Sequence, residues 1–172
     1  MTDNTSQPAV RTLAILALIA FLLPASSVVA EASSDQNGLV GTWTVQVTIR
    51  NCTTNAPLGP PTNALVTFHG DGTLSESAAS LAFAPGQRSP GHGVWAPGHG
   101  HTFTQEMINL IVFDTAPNPP LSPGFFAGWQ TVTHTVRLTG ADAIESAGTN
   151  AFYKANGELY RSGCSTATGQ RF

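Results

Sequence analysis

Between Thr42 and Arg50 the chain alternates without a fault. Trp43, Val45, Val47 and Ile49 fall on one face, and Thr44, Gln46, Thr48 and Arg50 on the other. A period of two with one apolar side predicts a half-buried β-strand. Further strands are predicted at about 63–69, 73–79, 92–96, 101–113, 126–138, 142–153 and 157–171, with turn signals such as Gly70-Asp71-Gly72 and Asn156-Gly157 between them. That makes eight strands, nearly all joined by hairpin-length links. Two loops, 53–62 and 114–124, are longer and rich in Pro and Gly, and a third, 80–91, is mixed in character. Only 105–112 is ambiguous between helix and strand, and its Ile111-Val112-Phe113 ending favours strand.

Consecutive antiparallel strands with one apolar face each are best satisfied by closing the sheet, which removes both edges. The fold expected is therefore all-β, a single eight-stranded antiparallel up-and-down β-barrel. A sandwich of two four-stranded sheets is the alternative. In a closed barrel the first strand pairs with the last, so paired positions have a constant index sum. Cys52 with Cys164 sums to 216, and Trp43 with Arg171 to 214, the same register within two residues. Both pairings put Trp43 and Arg171 on one face and the two cysteines on the other. Two independent features thus specify one closing ladder.

The first thirty residues read differently. Leu13–Leu23 is an apolar run of 11, preceded by Arg11 and closed by Pro24. It is too short to cross a hydrocarbon core of ~30 Å and has the length of a signal-peptide apolar segment. Val28-Val29-Ala30 supplies small residues at the cleavage spacing. The organisation expected is a signal peptide over 1–30, cleaved after Ala30 or alternatively Ala32, a polar lead-in over 31–37, and a barrel domain over 38–172. Such a chain is exported, periplasmic or secreted, with no stable membrane insertion after cleavage. Cys52 and Cys164 are the only cysteines; an oxidising compartment predicts a disulfide between them.

Charged residues make up 10% of the chain, against ~25% in typical domains. Hydrophobic residues, at 41%, are close to average, which excludes disorder by charge. The net charge of −3 and the absence of any Lys/Arg run argue against a nucleic-acid partner.

Gly41-Thr42-Trp43 at the start of the first strand, with Arg171 near the end of the last, resembles the lipocalin and calycin pattern. The phrases Leu65-Val66-Thr67-Phe68, Asp71-Gly72-Thr73, Gly91-His92-Gly93-Val94-Trp95 and Gly169-Gln170-Arg171 are similar to small exported bacterial lipocalin-like proteins. The resemblance implies a cup whose closed end is plugged by Trp43 with the Arg171 guanidinium across its ring, a cation–π lid. The helix that lipocalins carry before or after the last strand is not evident.

If Arg171 points inward, so do Gly163, Ser165, Ala167 and Gly169, and these small residues leave space inside, as do Ser146 and Gly148. Phe68, Trp95, Phe103 and Met107 are the side chains that could fill it. The apolar face of strand 126–138 carries Gln130, Val132, His134, Val136 and Leu138, placing an imidazole and an amide inside. An internal histidine can orient a ligand, act as a general base or ligate haem iron; equally, it can be a core residue satisfied by its neighbours. Its partners would be Gln105, Asn109 or Glu106. Asn150 and Arg161 are further polar candidates, Arg161 at the mouth. The ligand-binding set expected is thus His134, Gln130, Asn150, Arg161, Val45 and Val47, with His134 the one catalytic candidate.

Pro-Gly-His-Gly occurs twice, seven residues apart, and brings in His92, His99 and His101. The strand-like spacing of His99 and His101 points both rings one way, making the three a weak metal candidate without Asp, Glu or Cys among them. No cofactor is expected. There is no Gly-x-Ser-x-Gly elbow, no His-Glu-x-x-His and no phosphate loop. The carboxylates Glu76, Glu106, Asp114, Glu145 and Glu158 are scattered. A conventional hydrolase does not fit. The first expectation is a monomeric carrier of a small, mostly apolar ligand. The others are a calycin-type cyclase or isomerase, similar to allene oxide cyclase, working by enforcing substrate shape, and a filled barrel that interacts through its loops.

Overall fold

The computed structural model describes residues 36–80, 82–114 and 124–172. They form a one-turn helix α1 (Gln36–Leu39) and eight strands: β1 (Gly41–Arg50), β2 (Thr62–Phe68), β3 (Thr73–Ala78), β4 (Gly91–Pro97), β5 (Thr102–Asp114), β6 (Gly124–Gly140), β7 (Ala143–Lys154) and β8 (Leu159–Arg171). Each strand pairs antiparallel with the next, and β1 pairs with β8, giving a closed up-and-down barrel. The sandwich alternative is excluded by that closure. The segment expected to be a signal peptide lies outside the described residues. Among the described residues no helix is long and apolar enough to cross a membrane.

The closing ladder sets Trp43 opposite Arg171 and Arg50 opposite Cys164. Cys52 and Cys164 are disulfide-bonded, their Cα atoms 5.2 Å apart. The bond lies two residues beyond the end of β1 and fastens β8 to the loop that follows it. Alternation along the strands decides the interior. Trp43 and Val45 on β1, Ala64, Val66 and Phe68 on β2, and Phe103, Gln105, Met107 and Asn109 on β5 are buried, while their neighbours face outward. Short turns fix the register. At the β2–β3 turn Gly72 adopts a φ of 84°, and the Asp71 carboxylate accepts bonds from the Thr73 amide at 2.9 Å and hydroxyl at 2.6 Å.

One end of the barrel is plugged. Leu39, Trp43, Phe68, Leu74, Trp95 and Phe103 are buried there, with Trp95 edge-on to Phe68 at 6.1 Å and to Phe103 at 5.7 Å between ring centroids. Both indole N–H groups are satisfied, Trp43 Nε1 donating to Leu39 O and Trp95 Nε1 to His69 O, each at 2.9 Å. The helical turn α1 thus lies partly in the segment expected to be a polar lead-in. Its last residue, Leu39, closes the plug and accepts the Trp43 bond.

Candidate functional site

Above the aromatic plug the barrel is hollow. A cavity of about 440 Å³ runs from Val66 and Phe68 at its floor to Leu58, Phe83, Phe152 and Arg161 at its open end. Small residues on β8 make this room: Gly163, Ser165 and Ala167 all line it. Two of the small residues expected to leave space do not. A Cβ on Gly169 would lie 2.8 Å from Ile144 Cγ1, and one on Gly148 would lie 2.6 Å from His134 Cδ2, so those places are already taken. Phe68, Trp95 and Phe103 fill the closed end only, and Met107 is part of the cavity wall.

Most of the buried polar side chains inside form two islands. On one side of the wall His134, on β6, is 4% exposed and sits between two serines. Its Nδ1 lies 2.9 Å from Ser146 Oγ on β7, and its Nε2 2.8 Å from Ser165 Oγ on β8. Asn150 Nδ2 donates to the same Ser165 Oγ at 3.4 Å. Burial lowers the His134 pKa to about 4, because removing the ring from water penalises its charged form. At neutral pH this is an uncharged imidazole with both nitrogens engaged.

The second island was not legible in the sequence. Glu76 on β3 and Arg88 in the β3–β4 connection form a salt bridge at 3.0 Å, their side chains 4% and 9% exposed. Arg88 Nε donates to Gln130 Oε1 at 2.9 Å, and Asn109 Nδ2 donates to Glu76 Oε2 at 3.2 Å. Gly91 makes the approach possible: a Cβ there would stand 2.7 Å from Asn109 Nδ2 and 3.0 Å from Glu76 Oε2. Arg88 turns inward because the ladder slips. His92 opposes Ile108, but Arg88 opposes Ile111, one residue short of the same register. Such a bulge re-aims a side chain to the other face.

Val45, Val47, Gln130, His134, Asn150 and Arg161 all border this one cavity. Gln105 and Asn109 face inward, whereas Glu106, on the opposite face of β5, faces out. The three histidines of the Pro-Gly-His-Gly phrases are not gathered. His92 is exposed on the outer face of β4. His99 and His101 lie in the β4–β5 turn rather than on a strand, so strand alternation does not apply to them. Among the described residues no group of three or more His, Cys, Asp or Glu could hold a metal ion.

The surface of the wall is chiefly apolar, its one carboxylate is neutralised by its own arginine, and its imidazole is uncharged. Such a surface binds by burial and orients by a few fixed hydrogen bonds. No protein-family model, curated protein or solved structure matches the chain. The closed eight-stranded antiparallel barrel is consistent with a calycin-like fold, and such a fold does not by itself specify a function.

Proposed function

We propose that this chain is an exported, lipocalin-like barrel that binds a small, mostly apolar ligand in its interior. The observation that carries the reading is the hollow of about 440 Å³, open at one end and floored by packed aromatics at the other. Its volume falls within the range of roughly 300–1,000 Å³ common to small-molecule sites. Val45, Val47, Val66, Met107 and Val132 supply apolar contact, and Gln130, Asn150 and His134 provide the orienting polar groups. Burial at ~25 cal/mol per Å² brings a ligand of modest size to micromolar affinity when the pocket is preformed. The disulfide and the apolar run at Leu13–Leu23 support export.

The test is native mass spectrometry of the purified protein after exposure to a broad lipid extract. A retained small molecule at one copy per chain is the expected result. If extracts of varied polarity leave every molecule empty, the carrier reading fails. Export is checked on the same sample, whose N-terminus should be Glu31 or Ser33; an intact Met1 in exported material would refute cleavage.

A second reading, a cyclase or isomerase acting in the same cavity, is favoured by the buried Glu76–Arg88 pair and the His134–Ser165 contact on its wall. His134→Ala separates the two: loss of turnover with unchanged ligand affinity favours the enzyme, and loss of affinity alone favours the carrier.

A further inference from the structure

We infer that the occupant of this cup is a single-chain amphiphile with a carboxylate head, its tail in the barrel and its head at Arg161. The inference rests on the ligand-binding reading above and adds the ligand's class and orientation.

It follows from an inventory of charge around the cavity. Four charged residues border it: Arg50, Glu76, Arg88 and Arg161. Glu76 and Arg88 neutralise one another deep in the wall, so the interior offers no unmatched charge to a ligand. A charged group lowered to that depth would be stripped of water without compensation. What enters first must therefore be apolar.

The open end differs. Arg161 belongs to the same inward-facing register of β8 as Gly163 and Ser165 and pairs with Phe152 across the ladder. Its side chain is exposed, and among the described residues no carboxylate pairs with it. The nearest acid along the chain, Glu158 in the β7–β8 hairpin, is bonded to Lys154 at 2.9 Å. Arg50 projects from the outer face of β1, where among the described residues it donates to Thr166 Oγ1 and Asn55 O. Among the described residues the positive charge of Arg161 at the mouth is therefore uncompensated, beside a low-dielectric hollow, an arrangement that raises the local concentration of anions. A guanidinium presents a planar fork of donors that matches a carboxylate.

Geometry limits the tail. From Arg161 to Ala167 the inner face of β8 runs six residues, roughly 20 Å of strand, and Phe83 and Phe152 meet at the mouth with ring centroids 6.4 Å apart. A hollow of about 440 Å³ suits one alkyl chain and is small for a two-chained lipid. The cationic mouth rejects an ammonium head.

The experiment compares dodecanoate with dodecanol, equal in chain length and different in charge, by calorimetric titration of the purified disulfide-bonded protein at pH 7.5 and low salt. Dodecanoate should bind about tenfold tighter, the scale of one partly exposed charge-assisted contact. Arg161→Gln should erase that margin while leaving dodecanol unchanged, Arg161→Lys should keep part of it, and added salt should weaken dodecanoate alone. Because the Arg161 side chain is exposed and makes no hydrogen bond or ion pair among the described residues, the variants should fold. Equal affinity for the two probes, or a dodecanoate affinity untouched by Arg161→Gln, overturns the inference while the cup reading stands. Failure of both probes to bind overturns the cup reading and the inference with it.

Discussion

The guanidinium of Arg171 lies 4.3 Å from the centre of the Trp43 ring, and the two residues are direct partners in the ladder that closes the barrel. Arg171 does more than cover an indole. It donates to Val40 O at 2.9 Å, to Gly38 O and to Ala141 O at 3.2 Å, and its Nε bonds Asp142 Oδ1 at 3.1 Å. One side chain thus ties the segment before β1, the β6–β7 turn and β8 around the plugged end. Arg171→Ala removes the stacking and leaves the part-buried Gly38 and Val40 carbonyls without their donor, so it should cost about 2 kcal/mol in denaturant unfolding. Arg171→Lys keeps the charge and loses the fork; its stability should fall between the two, and Trp43 emission should shift to the red in both variants. Wild-type stability in Arg171→Ala would mean that the plugged end holds together without its guanidinium.

Glu76 and Arg88 form a buried pair whose halves depend on one another. Arg88→Met leaves a carboxylate stranded beside Asn109, and Glu76→Gln leaves a guanidinium facing only neutral oxygens. Each single change should destabilise by about 3–5 kcal/mol, the cost of an orphaned buried charge. The double variant Glu76→Gln with Arg88→Met should recover most of the loss, giving a coupling of at least about 2 kcal/mol in a double-mutant cycle. Additive effects would show that the two residues do not interact.

The closing ladder was legible because two separate pairs, Trp43 with Arg171 and Cys52 with Cys164, agree in parity and within two residues in register; the ladder follows the first pair, and the disulfide closes just beyond the end of β1. By alternation alone His134, Gln130 and Asn150 could be placed on the inner wall. Arg88 could not. It stands in a mixed loop, and a one-residue slip against Ile111 turns it inward, a change that no pattern of apolar residues announces. His99 and His101 show the opposite failure: their spacing imitates a strand, but the chain is turning there. The fate of Gly148 and Gly169 depended on which residue each meets in the neighbouring strand, since their ladder partners His134 and Ile144 lay their side chains over the room that the glycines leave.

The disulfide joins residues 112 apart in sequence. Its contribution comes largely from the unfolded chain, whose conformations it restricts, and chain entropy values so long a loop at roughly 4–5 kcal/mol. Cys52→Ser with Cys164→Ser should therefore lower the unfolding midpoint substantially while leaving the native circular dichroism spectrum unchanged. Its denaturant slope should rise, because the unlinked unfolded chain exposes more surface. An unchanged midpoint would mean that the unfolded ensemble already holds the two ends of the barrel together.

His134 makes stability depend on pH in a window set by its own titration. Its ordinary value is 6.5, and burial lowers it to about 4 in the folded protein. Above pH 6.5 the ring is neutral in both folded and unfolded chains, and its ionisation contributes nothing. As the pH falls from 6.5 toward 4 the unfolded chain takes up a proton that the folded one refuses, so stability drops with acidification. The loss across that window is about 3 kcal/mol, since a tenfold change in proton affinity is worth about 1.4 kcal/mol. Below pH 4 the folded ring protonates as well, in contact with Ser146 and Ser165, and its share of the slope levels off. His134→Gln removes the titration and keeps an amide within reach of the serines. Unfolding free energies of the two proteins, measured from pH 4 to 7.5, should therefore diverge below pH 6.5, the wild type falling faster, because the carboxylates common to both cancel in the difference. Parallel curves would mean that the ring titrates in the fold at its ordinary value, and the cavity wall would then gain a positive charge beside Ser165 as the pH falls through 6.5.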